Sequence, residues 1–235
     1  MNVVAKGLGV PRVGVVVPPD NHVAEVECMA ELSDQCTVHT ARFPPGRGQD
    51  LRARLASYAE HLDVPVGSLA GLSPAGILVA CTGLSYLLGP DEDDRRHRQL
   101  STTTGCPVRG SCWCIREALA SQGATTMTLV SPYEPWLTEQ SVAYWQAAGI
   151  DVVAVHELGG DRHPYLIDER EVETRLRELA TECVGDAVLV TGTGVGTLDA
   201  LRHTSGELPV PVLSSMRCGV DWLRRQLPKS PEPLR

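Results

Sequence analysis

The stretch Ile77-Leu-Val-Ala-Cys-Thr-Gly83 is a short apolar run that breaks into a Thr-Gly step, and Val188-Leu-Val-Thr-Gly-Thr-Gly194 repeats its pattern at an offset of 111 residues. Runs of this length, closed by glycine and separated by longer segments of mixed polarity, read as buried strands of a parallel sheet. Two further landmarks recur in the same order. Val16-Val-Pro-Pro19 lines up with Leu129-Val-Ser-Pro132 at an offset of 113, and Pro107-Val108 with Pro211-Val212 at 104. Three landmarks in one order predict a duplicated half of about 110 residues. The predicted fold is α/β, built as two similar Rossmann-like parallel-sheet halves related by a pseudo-twofold axis. Residues 1–122 and 210–235 are assigned to the first half, the latter supplying its final helix, and 123–209 to the second. Ligands of parallel α/β sheets bind beyond the carboxyl ends of the strands. The loops at 81–83 and 192–194 are therefore expected on opposite walls of an active-site cleft between the halves.

Outward from these two stretches the alternation continues. Strands are expected over 13–17, 36–42, 76–81, 127–130, 151–156, 187–190 and 210–213. Helices are expected over 23–32, 51–62, 111–121, 137–148, 169–183 and 220–227, with Leu51, Leu55, Tyr58 and Leu62 forming the apolar stripe of the second. The run Asp-Glu-Asp-Asp-Arg-Arg-His-Arg at 91–98 is read as the solvated start of a helix, acids first, as the helix dipole prefers. The proline-rich tail from Pro228 is expected to fray.

Composition narrows the function. Of 235 residues, 43% are hydrophobic and 21% charged, which excludes wholesale disorder. Aromatics are 4% with a single Phe, so the core must be built from Val, Leu, Ala and Ile. The net charge is −8 and no basic block stands out, which argues against a nucleic-acid surface. The longest apolar runs fall far short of the roughly 18–20 residues a membrane span needs. The opening Met-Asn-Val-Val-Ala-Lys-Gly-Leu-Gly has no apolar stretch long enough for a signal-peptide core, and a soluble cytoplasmic protein is expected. Eight cysteines (28, 36, 81, 106, 112, 114, 183, 218) are then expected as reduced thiols. Cys112-Trp-Cys114 has one intervening residue rather than the two to four of a zinc knuckle, so no metal is expected.

Chemistry concentrates at the strand ends. A thiol at Cys81 is expected to be partly exposed and close to the positive end of the next helix, conditions that favour thiolate; a packed strand-end cysteine is the alternative. Thr82 adds a hydroxyl and Gly83 lets the backbone approach a ligand closely. Thr191-Gly192-Thr193-Gly194-Val195-Gly196 suits an anion cradle of backbone N–H groups or, more simply, a tight turn. It lacks the Gly-Lys-Ser/Thr of a Walker loop and the third glycine of a dinucleotide fingerprint. Asn21 and Tyr133 are neutral donors that either hold a carboxylate or cap a turn. Arg162-His163-Pro164-Tyr165 is a polar loop, solvated or lying over the cleft.

Taken together these residues resemble the aspartate/glutamate racemase superfamily, with maleate cis-trans isomerases and arylmalonate decarboxylases as its closest branches, from about Arg12 to Leu227. Val15-Val-Val-Pro-Pro-Asp-Asn21 resembles the first substrate loop of maleate isomerases, whose asparagine contacts a carboxylate. Gly76-Ile-Leu-Val-Ala-Cys-Thr-Gly-Leu-Ser-Tyr-Leu-Leu-Gly89 is similar to the first cysteine segment, and Ser131-Pro-Tyr133 to the segment whose tyrosine hydroxyl binds the substrate carboxylate. Thr193-Gly194 with Thr197-Leu-Asp-Ala-Leu201 looks like the second cysteine segment of the decarboxylases, and Val212-Leu-Ser-Ser215 like the last strand and turn.

The resemblance implies cofactor-free chemistry at the carbon beside a carboxylate of a small mono- or dicarboxylic acid. It implies Cys81 as catalytic residue, with Asn21, Thr82, Gly83, Tyr133, Gly192, Thr193 and Gly194 binding substrate, and dimers or larger homo-oligomers. One departure matters. Racemases and maleate isomerases place a cysteine in each half, whereas the second position here is Gly192. Two-base racemisation then lacks its second proton donor. The decarboxylases use one cysteine, in the second half, with glycine in the first; this chain resembles their mirror image. Decarboxylation of a substituted malonate is slightly preferred on that ground. Maleate-type isomerisation through a Cys81 adduct, and a descendant that binds carboxylates without turning them over, stay open.

Overall fold

The computed structural model describes residues 9–46, 50–160, 162–182 and 184–228. The start of the chain, Cys183 and the tail after Pro228 lie outside the described residues. The first half runs β1 (Arg12–Val17), α1 (Val23–Leu32), β2 (Thr37–Arg42), α2 (Leu51–Glu60), α3 (Asp63–Ala70), β3 (Ile77–Val79), α4 (Thr82–Leu88), α5 (Pro90–Thr104), β4 (Val108–Gly110) and α6 (Ser111–Ser121). The second runs β5 (Thr126–Ser131), α7 (Pro135–Ala147), β6 (Asp151–Glu157), α8 (Glu169–Leu179), β7 (Ala187–Val190), α9 (Leu198–His203), β8 (Val212–Ser214) and α10 (Ser215–Gln226). A 3₁₀ turn, Pro164–Leu166, sits between β6 and α8.

Each half carries one four-stranded sheet with every neighbouring pair parallel, in the order β2-β1-β3-β4 and β6-β5-β7-β8. The second order is the first with each strand replaced by its counterpart, so the duplication seen in the sequence is a duplication of topology. Ladder register makes the equivalence residue-specific. Gly14 pairs with Ile77 and Ile77 with Val108; Thr128 pairs with Val188 and Val188 with Val212. Ile77 therefore corresponds to Val188 and Val108 to Val212, as the repeat implies. The proline landmark is off by one. Val16 pairs with Val79 and Val130 with Val190, so Val16 corresponds to Val130, and Pro18 rather than Pro19 to Pro132. A one-residue slip turns every side chain to the opposite face, and the buried faces on both sides of each sheet select the register.

The inner strands are short apolar runs because both faces are covered: β3 and β7 are wholly buried, as parallel sheets between helical layers require, whereas the edge strand β6 alternates between exposed and half-buried residues. β8 completes the second sheet, and α10 runs on from it to pack against α6 and α1 of the first half. The larger hydrophobic core accordingly includes residues of both halves, among them Leu78, Ile115, Trp145 and Trp222. Helix boundaries follow side-chain caps: the Asp50 carboxylate accepts from Ala53 N at 2.8 Å at the start of α2, and Asp168 and Glu171 form a capping box on α8.

Several expectations change. The strand at 210–213, assigned to the first half with the rest of 210–235, is instead β8 of the second sheet, because Val212 to Ser214 pair with Val188 to Val190. Residues 51–62 hold α2 only to Glu60, and a separate helix, α3, starts at Asp63. The strand expected over 76–81 pairs only from Ile77 to Val79, because the chain turns at once into α4. The charge run 91–98 lies in α5 with its acids in the first turn, but it is not solvated throughout. Asp93 and His97, one turn apart on the inner face, are buried; Asp93 Oδ1 accepts from Ser85 Oγ at 3.0 Å, and His97 Nδ1 lies 2.8 Å from the Asp93 carbonyl. Among the described residues no helix is long and apolar enough to cross a membrane.

Candidate active site

The two sheets place the loops after β3 and β7 against each other. Since Val79 corresponds to Val190, Cys81 corresponds to Gly192, Thr82 to Thr193 and Gly83 to Gly194. Cross-half hydrogen bonds then stitch the two loops together. Thr82 Oγ1 lies 2.5 Å from the Tyr133 hydroxyl, which the second half supplies just after β5. In return, Thr193 Oγ1 donates to the Ala80 carbonyl at 2.8 Å, and Asn21 Nδ2 donates to the Thr193 carbonyl and hydroxyl at 3.1 and 3.3 Å. Deeper in, Tyr86 and Thr191 hydroxyls meet at 2.5 Å.

Between these loops lies a cavity of about 500 Å³, a size suited to a small-molecule ligand. Cys81, Thr82, Gly83, Tyr133, Thr193 and Gly194 all line it. Asn21 and Gly192 do not. The Asn21 carboxamide is committed to the scaffold: while its NH₂ holds Thr193, its Oδ1 accepts from Val23 N and Ala24 N at 3.0 and 3.1 Å and so fixes the first turn of α1. Gly192 sits behind the wall at φ +97°, its N–H donating to Ser215 Oγ at 3.1 Å. A Cβ there would stand 2.9 Å from Pro132 Cγ and 3.3 Å from the Tyr133 hydroxyl. A side chain at 192 thus meets both an unfavourable backbone conformation and the tyrosine that faces the cavity.

Cys81 leads into α4, with 5% of its surface exposed. The expectation of a thiolate-favouring environment is not met. Burial pushes the Cys81 thiol up to about 12, against a smaller opposing pull from the Leu84 backbone N–H, and the Asp93 charge adds to the rise. The group facing the cavity at neutral pH is a neutral thiol. Burial likewise raises the Tyr133 phenol, against the lowering effect of its hydrogen bond with Thr82, so it too is neutral.

The hydroxyl arithmetic separates the candidate donors. Thr82 and Tyr133 together carry two protons and one mutual hydrogen bond, which leaves one proton to donate into the cavity. Thr193 has one proton and gives it to Ala80, so its side chain has none left for a ligand.

The walls that α2 supplies were not assigned to the site from sequence. Arg54, Leu55 and Tyr58 reach the cavity from α2, where the spacing of Leu51, Leu55 and Tyr58 reads as core; the signal for the arginine is that Arg54 stands one turn before Tyr58 on the same stripe. The loop 162–165 lies over the cavity, with Pro164 and Tyr165 half-buried and Arg162 and His163 reaching solvent as well. The Cδ1–Cε1 edge of its Tyr165 ring lies against Gly194, where a Cβ would collide with it. His163, 4.5 Å from that ring between centroids, is held below its ordinary pKa, first by burial and then by the charge of Arg54. None of the four tryptophans lines the cavity.

Comparison with known proteins matches this geometry to one group. The family model described as Arylmalonate decarboxylase matches residues 51–231. The maleate isomerase of Nocardia farcinica is 27% identical, over 94% of this chain and 91% of that protein. A cysteine-to-serine mutant of the Nocardia farcinica maleate cis-trans isomerase, with a covalently bound succinylcysteine intermediate, superposes with a TM-score of 0.79 at 26% identity, covering 93% of each chain. A double mutant of arylmalonate decarboxylase, glycine to cysteine and cysteine to serine, in its liganded form, superposes at 0.80 with 21% identity and 94% of each chain covered, a likeness of fold.

Proposed function

Because the chain belongs to the arylmalonate decarboxylase family, whose model covers residues 51–231, we propose that it is a cofactor-independent lyase or isomerase. Its substrate is a small carboxylic or dicarboxylic acid, reacting at the carbon α to a carboxylate, with Cys81 as the sole catalytic thiol. The observation that carries this reading is the asymmetry of the strand ends: a neutral buried thiol after β3 and Gly192 at the corresponding place after β7.

The electronic problem is that a carboxylate stabilises an adjacent carbanion badly. Donors held in place on both oxygens lower that barrier because they meet charge that develops in the transition state. The free proton of the Thr82–Tyr133 pair supplies one such donor, and the backbone N–H groups of Gly83 and Gly194 are assigned the others. Leu55 and Leu137 pack over Gly83, with Leu55 Cδ atoms 3.2 Å and Leu137 Cδ2 3.6 Å from where a Cβ would stand. They give the site an uncharged wall.

In decarboxylation of an α-substituted malonate, the bond from the α-carbon to the carboxylate against that wall breaks. CO₂ leaves, and the electron pair passes into the retained carboxylate as an enediolate. Cys81 Sγ–H then protonates the carbon and solvent returns a proton to sulfur. This route needs one acid on one face, which a neutral thiol supplies and a glycine on the other wall does not obstruct. It is preferred. A second reading has one observation in its favour: the Nocardia farcinica relative carries a succinylcysteine intermediate when one cysteine is serine. In that route the Cys81 thiol gives up its proton to solvent, the thiolate adds to the double bond of a cis-dicarboxylate and the electron pair passes into a carboxylate as an enediolate. The carbon–carbon bond, now single, rotates, and the enediolate expels the thiolate to give the trans product before the sulfur takes a proton back.

Proton NMR in D₂O separates the routes. Wild type and Cys81→Ala are incubated with α-substituted malonates and with maleate. Decarboxylation gives a monocarboxylate with one deuterium at the α-carbon, isomerisation gives fumarate, and either product must vanish with Cys81→Ala. Product that persists in the folded variant would sink the assignment of the thiol.

A further inference from the structure

Arg54 carries a charge that the reaction just described does not use. It lies on α2 with 26% of its side chain exposed, and its Nε is buried without a hydrogen-bond partner. Among the described residues no hydrogen bond reaches its guanidinium, and its nearest anion is Asp20 Oδ2 at 3.7 Å, on a side chain 73% exposed. The other cations of the cavity are accounted for. Arg162 donates to both carboxylate oxygens of Glu171, and His163 is kept neutral by burial and by Arg54 itself. The lining carboxylates Asp20, Glu134 and Glu157 are exposed, out at the rim. A guanidinium set deeper than its counterions, with an orphaned buried N–H, is an incomplete anion site, since buried donors are ordinarily paired.

We propose that Arg54 is the subsite for a second anionic group of the substrate, a carboxylate held away from the reacting carbon and retained in the product. The inference rests on the reading of Cys81, Thr82 and Tyr133 as the reacting end, and it narrows the substrate class. Cys81, Arg54, Tyr58 and Tyr165 line one cavity of about 500 Å³, a size that lets one small molecule span the two ends. A carboxylate paired with Arg54 keeps its charge stabilised and is therefore the wrong one to leave as CO₂. The substrate is then either an unsaturated dicarboxylate that keeps both groups or a malonate with an acidic substituent. An arylmalonate offers Arg54 nothing to bind.

The test is binding rather than turnover, by titration calorimetry with succinate and butyrate, equal in chain length and differing by one carboxylate. Wild type is expected to bind succinate at least tenfold more tightly than butyrate. Arg54→Gln should lose tenfold or more in succinate affinity while butyrate changes less than twofold, and Arg54→Lys should recover part of the loss with no change in circular dichroism. Equal succinate affinity in Arg54→Gln and wild type overturns the proposal and leaves the Cys81 chemistry untouched. Failure of wild type to bind either probe overturns it together with the carboxylate reading of the cavity. Activity that survives Cys81→Ala, by contrast, removes the reacting end on which the proposal rests while leaving the calorimetric result as measured.

Discussion

Two hydroxyls that bond to each other at 2.5 Å, Thr82 and Tyr133, hold one proton in reserve, and its removal should be felt mainly in the transition state. Tyr133→Phe and Thr82→Val each break the pair, and each is expected to cost about 10²–10³ in kcat with a smaller change in KM, measured by steady-state kinetics on the substrate the NMR panel identifies. The same substitutions at Thr193 should act differently, because its hydroxyl is tied to Ala80 and Asn21: Thr193→Val should loosen the contact between halves and lower Tm rather than kcat selectively. Gly192 makes the opposite kind of case. Its φ of +97° and the 2.9 Å approach to Pro132 mean that Gly192→Ala should destabilise by about 1–3 kcal/mol in urea denaturation. A gain of a second functional thiol in Gly192→Cys without loss of stability would contradict that account. Cys81 itself, pushed up to about 12 by burial, should alkylate slowly at neutral pH, with a rate that rises about tenfold per pH unit through the alkaline range.

Secondary elements are held to one another by charges placed at their ends, and α9 is the clearest instance. Glu27 of α1, 8% exposed, accepts from Thr197 N and Leu198 N at 2.6 and 2.9 Å, while Glu169 of α8 accepts from Asp199 N and Ala200 N at 2.8 and 3.3 Å. A helix of six residues has little stability of its own, and these two carboxylates supply partners for its orphaned amides. For Glu27 burial outweighs those hydrogen bonds and raises its pKa to about 7. The folded protein therefore binds this proton more tightly than the unfolded chain, whose Glu titrates near 4.5. Glu27 then contributes stability that is fully present below 4.5 and lost as pH rises to about 7, on the order of 3 kcal/mol. Glu27→Gln keeps an acceptor for the amides and removes the titration. Its stability relative to wild type, from urea midpoints, should improve between pH 4.5 and 7; a parallel pair of curves would refute the assignment.

At the scale of the molecule the pseudo-twofold relation has a stereochemical consequence. Cys81 and Gly192 are corresponding positions on facing loops, so a proton delivered by Cys81 arrives from the wall opposite to one delivered at position 192. The resemblance in sequence implies that the decarboxylase branch carries the two positions exchanged, glycine in the first half and cysteine in the second. Decarboxylation of a prochiral α-substituted malonate by this protein should give the enantiomer opposite to theirs, and chiral chromatography showing the same enantiomer would count against delivery from Cys81. The two halves are joined by the Thr82–Tyr133, Thr193–Asn21 and Tyr86–Thr191 contacts and by α10 crossing to α6, so the cavity and the inter-half core should be lost in one cooperative transition.

What could be read from the chain alone was whatever depends on local pattern. Buried parallel strands are continuous apolar runs, so Ile77–Val79 and Ala187–Val190 announced themselves, and two such runs with matching flanks were enough for the doubled sheet. The same repeat puts Cys81 and Gly192 in register, and with them Thr82, Thr193 and the glycines that follow them. Short helices such as α4 and α9 were not legible, because six or seven residues give no period to count and their stability comes from neighbours. Nor was the proline register, which shifts by one residue only when a face is chosen for burial. Tertiary structure alone decided the ionisation of Cys81, since local position favours thiolate while burial, a property of everything packed around it, favours the thiol. It also decided who reaches the cavity. Asn21 and Arg54 are both polar residues near an apolar stripe in the sequence; packing turned the amide of the first into a strut between halves and left Nε of the second in the wall without a hydrogen-bond partner, because hydrogen-bond partners are assigned by distance in space and not by spacing along the chain.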